Sequence, residues 1–162
     1  MRTRFGDLPD EGKELLIKHL RIDFSRATFK APRWFSTYVE DRGKIVGIFA
    51  TDFPFWHEGR INVLVRDPRC VTRRLLIANY TALFSQVVRL TAEVEPHNRR
   101  ALRQTREMGF QYEGYKRLGL EGTRDVMQFG MLKHECIYLP GYRAVDVPPQ
   151  VLTADLRHER LQ

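Results

Sequence analysis

Along residues 9–22, PDEGKELLIKHLRI, apolar positions recur at helical spacing. Leu15, Leu16, Leu20 and Ile22 share a side with His19, and Asp10 and Glu11 occupy the first turn, so the pattern predicts a helix. Residues 23–32 carry no clear period and read as a connection. From 33 onward the pattern turns to β. Two runs rich in aromatic and β-branched residues, 33–39 and 44–52, flank Asp41-Arg42-Gly43, a hairpin turn. The segment PFWHEG reads as a polar-aromatic loop, and residues 60–66 alternate Ile61, Val63 and Val65 against Asn62 and Leu64, which predicts a strand. Thr72 stands where it can cap a helix running to about Val87, with Leu75, Leu76, Tyr80, Leu83, Phe84 and Val87 as its buried stripe. Residues 88–95 form a further strand, stopped by Pro96; Asn98 then caps a helix through about Met108, which Gly109 ends. The runs 110–120 and 125–135, joined around Glu121-Gly122-Thr123, predict a second antiparallel hairpin.

Helix, hairpin, strand, helix, strand, helix, hairpin is the order of an α/β protein with a mixed sheet and helices on both faces. Residues 1–136 read as one domain. Residues 137–162 differ: Pro140, Pro148 and Pro149 keep most of this arm out of regular structure. Only QVLTADLRHERL within it has a helical pattern, and alone so short a helix is marginal. The arm is therefore expected to dock on its own domain or, extended, on a protein partner or a second copy of the chain.

Composition narrows the function classes. The chain has 162 residues, and 27 Lys and Arg against 20 Asp and Glu give a net charge of +7, so a polyanionic neighbour such as a nucleotide, nucleic acid or acidic protein surface is favoured. Cys70 and Cys136 have no CxxC spacing and fit a reducing compartment. His19, His57, His97, His134 and His158 form no HxxxH or HExxH pair, so no metal site is expected. No apolar run approaches ~20 residues, and the N-terminal stretch MRTRFGDLPDEG has no apolar h-region; no membrane partner is expected, and the cytoplasm is the expected location.

One stretch carries more than pattern. After a strand come Asn98, Ala101 three positions on, Gly109-Phe110, Glu113-Gly114, Arg117, Asp125, Phe129-Gly130-Met131-Leu132 and Glu135. This ordered set, in residues 88–135, resembles the C-terminal half of the GNAT acyltransferases, in the branch that acetylates protein N-termini and includes the ribosomal-protein acetyltransferases. The resemblance implies a GNAT-like fold that uses acetyl-CoA. In that family the fourth and fifth strands, here 60–66 and 88–95, splay apart, and their bare main chain holds the pantetheine arm like an added strand. The helix after the fourth strand points its N–H groups at the pyrophosphate.

The pyrophosphate turn departs from the family. Where the family has Arg or Gln, two residues, Gly, one residue, and Gly or Ala, this chain has Arg69, Thr72 and Arg74, so bulky side chains stand at the small-residue places. Two readings stay open: Arg69, Arg73 and Arg74 replace main-chain donors with guanidinium groups, or these arginines face solvent or a partner and the cofactor site is closed. Asn98 matches the family residue that bonds near the cofactor arm, and is also a good helix cap. Tyr112 and Tyr115 are candidates to protonate a leaving thiolate, Glu93 to act as base through water. Arg99, Arg103 and Arg106 make a basic stripe that reads either as a solvated helix face or as a contact for the 3′-phosphate of coenzyme A or a larger polyanion. Phe53, Phe55 and Trp56 are expected beside the cleft, either lining an acceptor pocket or covering the core under a loop.

Two functions of different class follow. The first is a non-catalytic GNAT-fold body that serves as a structural or protein-interaction component. Short-tailed bacteriophages carry small virion proteins similar to this fold, which would place the chain in the virion or the host cytoplasm. The second is an acetyl-CoA-dependent N-acetyltransferase acting on a protein or peptide amine. Direct nucleic-acid binding has the charge in its favour, although no aromatic-basic interleaving is present.

Overall fold

The computed structural model describes residues 1–21 and 34–141. Among them are seven strands and three α-helices in two compact units, Met1–Val88 and the part that begins at Arg89. Their number and order are those of a mixed α/β GNAT-type fold. The expected arm lies outside the described residues from 142 onward, as does the connection at 22–33.

The first unit is an antiparallel meander, β1 (Arg2–Gly6), β2 (Trp34–Asp41), β3 (Lys44–Phe55) and β4 (Glu58–Val65), each strand bonded to the next. Because strand side chains alternate, the registry sorts the residues onto two faces. Ile48 opposes both Tyr38 and Leu64; with Ile45 and Ala50 they meet Leu16 of α1 (Asp10–Leu20). Phe49 opposes Thr37 and Val63 on the other face, where the Thr37 hydroxyl donates to Asn79 Oδ1 of α2 (Arg73–Phe84) at 2.8 Å. Helices thus cover both faces of this unit.

Three elements differ from the sequence reading. β1 was not expected: every residue in it is exposed, so it carries no apolar alternation, and its place is set by main-chain bonds to β2. The predicted loop at 54–59 is mostly strand. β3 continues to Phe55 and β4 starts at Glu58, leaving Trp56-His57 as a tight turn; a register shift between Asp52 and Phe55 accommodates Pro54, which has no N–H for the ladder. Finally, α2 stops at Phe84, three residues before Val87, which is buried nonetheless.

The second unit orders its strands as β5 (Arg89–Val94), β7 (Arg124–Leu132) and β6 (Gln111–Leu120), all antiparallel, with α3 (Arg99–Glu107) between β5 and β6 in sequence. Central β7 supplies the core: Val126, Phe129 and Met131 are fully buried, beside Leu90 of β5. The first residues of the arm fold back on α3, since the Tyr138 hydroxyl donates to the Glu107 carbonyl at 3.2 Å.

Candidate functional site

The chain passes from β4 to α2 through residues 66–72, and this turn closes on itself. The Asp67 carboxylate accepts the Arg69 N–H at 2.9 Å and grips the same residue's guanidinium through Nε at 3.1 Å and Nη2 at 2.6 Å. That grip holds the Asp67 carboxyl below the ordinary range for an aspartate and raises the Arg69 guanidinium. Pro68–Cys70 form a 3-10 turn in which Cys70 N–H donates to Asp67 and Val71 N–H to Pro68, both at 3.0 Å; Thr72 N–H then reaches the Cys70 carbonyl. Thr72 Oγ1 accepts from Leu75 N–H at 3.1 Å and so caps α2, a contribution of about 1 kcal/mol. Below the turn Cys70 is buried, its thiol pushed up to about 11 by loss of solvent, and the space against it exists because residue 47 is glycine: a Cβ there would lie 2.5 Å from Sγ.

The main-chain N–H groups of residues 69 to 72 are thus used within the turn. What it presents outward are side chains. Arg73 and Arg74 occupy the first two helical positions of α2, both exposed, with no acidic residue in that first turn. Cations there oppose the helix dipole and each costs a few tenths of a kcal/mol, which an anion between them would reverse. The chemistry of this donor set suits a diphosphate held by guanidinium forks rather than by bare main chain. Arg69 is instead committed to Asp67, a carboxylate that sequence reasoning passed over. The Asp-Pro pair at 67–68, a turn-initiating dipeptide, was the signal available for it.

In the second unit Asn98 caps α3, its Oδ1 accepting from Ala101 N–H at 3.1 Å. The other three candidates fall on opposite faces of the strands. Glu93 opposes Gln128 on β7, and Lys116 Nζ reaches over the sheet to its carboxylate. Glu113 bonds to Arg89 in the same manner, crossing the flat spot that Gly130 leaves. Tyr112 and Tyr115 oppose Phe129 and Met127, because the register shift at Glu113 turns both rings to one side. Tyr112 packs edge-on to Phe129 with centroids 5.7 Å apart. The Tyr115 hydroxyl donates to Asp125 at 2.6 Å, which raises its pKa above the ordinary tyrosine value, while Asp125 also accepts from Leu118 N–H and is lowered. Asp125 entered the sequence reading as one element of the ordered set; its role as acceptor for Tyr115 did not. The structure therefore brings Glu93 to Lys116 and Tyr115 to Asp125, and it does not bring the candidate base to the candidate acids.

At the tip of the β3–β4 hairpin Phe55 stacks on His57, and Trp56 meets the same imidazole edge-to-face with centroids 5.0 Å apart. The whole of β4, eight residues or about 26 Å, separates them from the turn at 66–72, so they do not line that end of the unit. Among the described residues no helix is long and apolar enough to cross a membrane.

The fold is that of the GNAT N-acetyltransferases. It is similar to an IAA acetyltransferase from Bacillus cereus, with a TM-score of 0.62 and 17% identity over 81% of this chain and 99% of that one. It is likewise similar to mutant forms of the spermidine/spermine N-acetyltransferase SpeG from Vibrio cholerae, with a TM-score of 0.56 and 15% identity over 83% and 96% of the two chains. A ribosomal-protein alanine acetyltransferase from Vibrio fischeri aligns with a TM-score of 0.51 and 19% identity over 76% of this chain and 72% of that one. No protein-family profile and no curated protein sequence matches the chain.

Proposed function

We propose that this chain is an acetyl-CoA-dependent N-acetyltransferase whose acceptor is the α-amine of a protein or peptide. The observation that carries the reading is the paired arginines at the start of α2, at the turn the GNAT resemblance assigns to the diphosphate, on a fold whose solved neighbours include acetyltransferases, one of them a spermidine/spermine N-acetyltransferase. Arg73 and Arg74 would hold the diphosphate. The bound thioester supplies the activated acetyl group. The protein's own part is then mainly to place an amine against it, the dominant contribution in such a transfer. With Glu93 engaged by Lys116 and Tyr115 by Asp125, an acceptor already partly neutral suits the site best. An α-amine with pKa near 7.7–8.0 is roughly a tenth neutral at pH 7, against fewer than about one lysine side chain in a thousand.

The test is titration of acetyl-CoA into the full chain by calorimetry and thermal unfolding, then mass analysis of peptides carrying free or blocked N-termini. Binding stabilises the fold by about 2.7 kcal/mol at a hundred times Kd. R73Q/R74Q is expected to raise Kd more than tenfold, and acetyl is expected on the α-amine in preference to lysine. A second reading, a non-catalytic structural body, draws its support from the engaged N–H groups of residues 69–72. An unchanged melting temperature at millimolar acetyl-CoA would select it.

A further inference from the structure

We propose that the exposed arginine face of α3 is a docking surface for the phosphate backbone of duplex nucleic acid, independent of the acetyltransferase reading. Arg99, Arg100 and Arg103 are all exposed, and Arg103 is the helical neighbour of both others, at i+4 and i+3. Each such like-charge pair opposes helix formation, and Arg99 and Arg100 also stand at the positive end of the dipole with no acid in the first turn. The helix's carboxylate, Glu107, sits at its negative end, 3.8 Å from Arg103 in a pair open to water. Arg99, Arg100 and Glu107 thus stand against the helix dipole, while Arg106 in the last turn and the Arg103–Glu107 pair favour the helix; an external polyanion reverses the sign of the unfavourable terms at the N-terminal half.

The platform is rigid, since Asn98 fixes one end of α3 and Tyr138 bonds to the last carbonyl at the other. A nine-residue helix is about 13.5 Å long, equal to the axial rise of roughly four base-pair steps of a duplex. One feature favours nucleic acid over an acidic protein, and another favours a duplex over a single strand. The exposed positions of α3 are Arg99, Arg100, Arg103 and Glu107, with no apolar anchor of the kind a protein interface centres on. The helix also lacks an aromatic on which unpaired bases would stack, which favours a duplex over a single strand.

The experiment is fluorescence polarisation of a labelled 20-base-pair duplex with the full chain between 50 and 200 mM NaCl. Three phosphate contacts give a slope of about −2.7 in log K against log salt, or about a fortyfold loss of affinity over that range. R99Q/R100Q/R103Q is expected to flatten the slope by about that amount with unchanged circular dichroism, while R42Q, at the β2–β3 turn of the other unit, leaves most of it. No duplex binding at 50 mM salt, or a triple variant with the slope of the parent, overturns the proposal. So does a polyglutamate peptide that displaces the duplex at equal charge and loses its own binding in the triple variant, since the surface would then serve an acidic protein.

Discussion

Replacing Phe129 with alanine is expected to lower the unfolding free energy by about 3–5 kcal/mol, a large share of the roughly 5–15 kcal/mol typical of a folded domain. The ring is fully buried in the middle of β7, opposite Ala92 of β5, and its other neighbour is the edge of Tyr112. Its removal empties the point where all three strands of this unit meet. Neither side can close the gap easily, because Leu90, Met127 and Met131 around it are already buried. Urea unfolding followed by circular dichroism measures the loss, and Phe129→Leu should recover most of it. A change below about 1 kcal/mol would show that β7 is not the core of this unit.

The second large effect is expected at Gly47. A methyl group added there meets Cys70 Sγ at 2.5 Å, and Cys70 is buried inside the turn that carries Arg73 and Arg74 into place. Overpacking of this kind costs about 1–3 kcal/mol. Gly47→Ala should therefore destabilise the first unit and, through the turn, weaken acetyl-CoA binding about tenfold. The change is repairable. In Cys70→Ala the sulfur is gone and the remaining Cβ is 3.6 Å from the new methyl, an ordinary contact. The double variant should thus be more stable and bind more tightly than Gly47→Ala alone. A strictly additive double-mutant cycle would contradict the proposed collision.

Much of this architecture was written in local chemistry. Asp41-Arg42-Gly43 marked its hairpin, with both Arg42 and Gly43 at positive φ, and Glu121-Gly122-Thr123 marked the other. Thr72 and Asn98 announced the helices they cap. What escaped was set by partners distant in sequence. Nothing apolar singled out Arg2–Gly6 as a strand; the ladder to β2 makes it one. The polar-aromatic segment 54–59 looked like a loop, and the ladder between β3 and β4 carries strand through most of it. At the candidate site, the cluster of arginines was legible in the sequence, but Asp67's capture of Arg69 depends on how a turn folds over two residues. The separation of Glu93 from the tyrosines depends on a single register shift at Glu113, and spacing along one strand carries no trace of it.

The two buried cysteines divide evenly between the units, Cys70 in the first and Cys136 in the second, and burial raises the pKa of each. Neither thiol can be alkylated while its own half stays shut, so each acts as a clock set into that half. Trapping rates at the two positions would give the opening free energy of each half separately and reveal whether they come apart together or in turn.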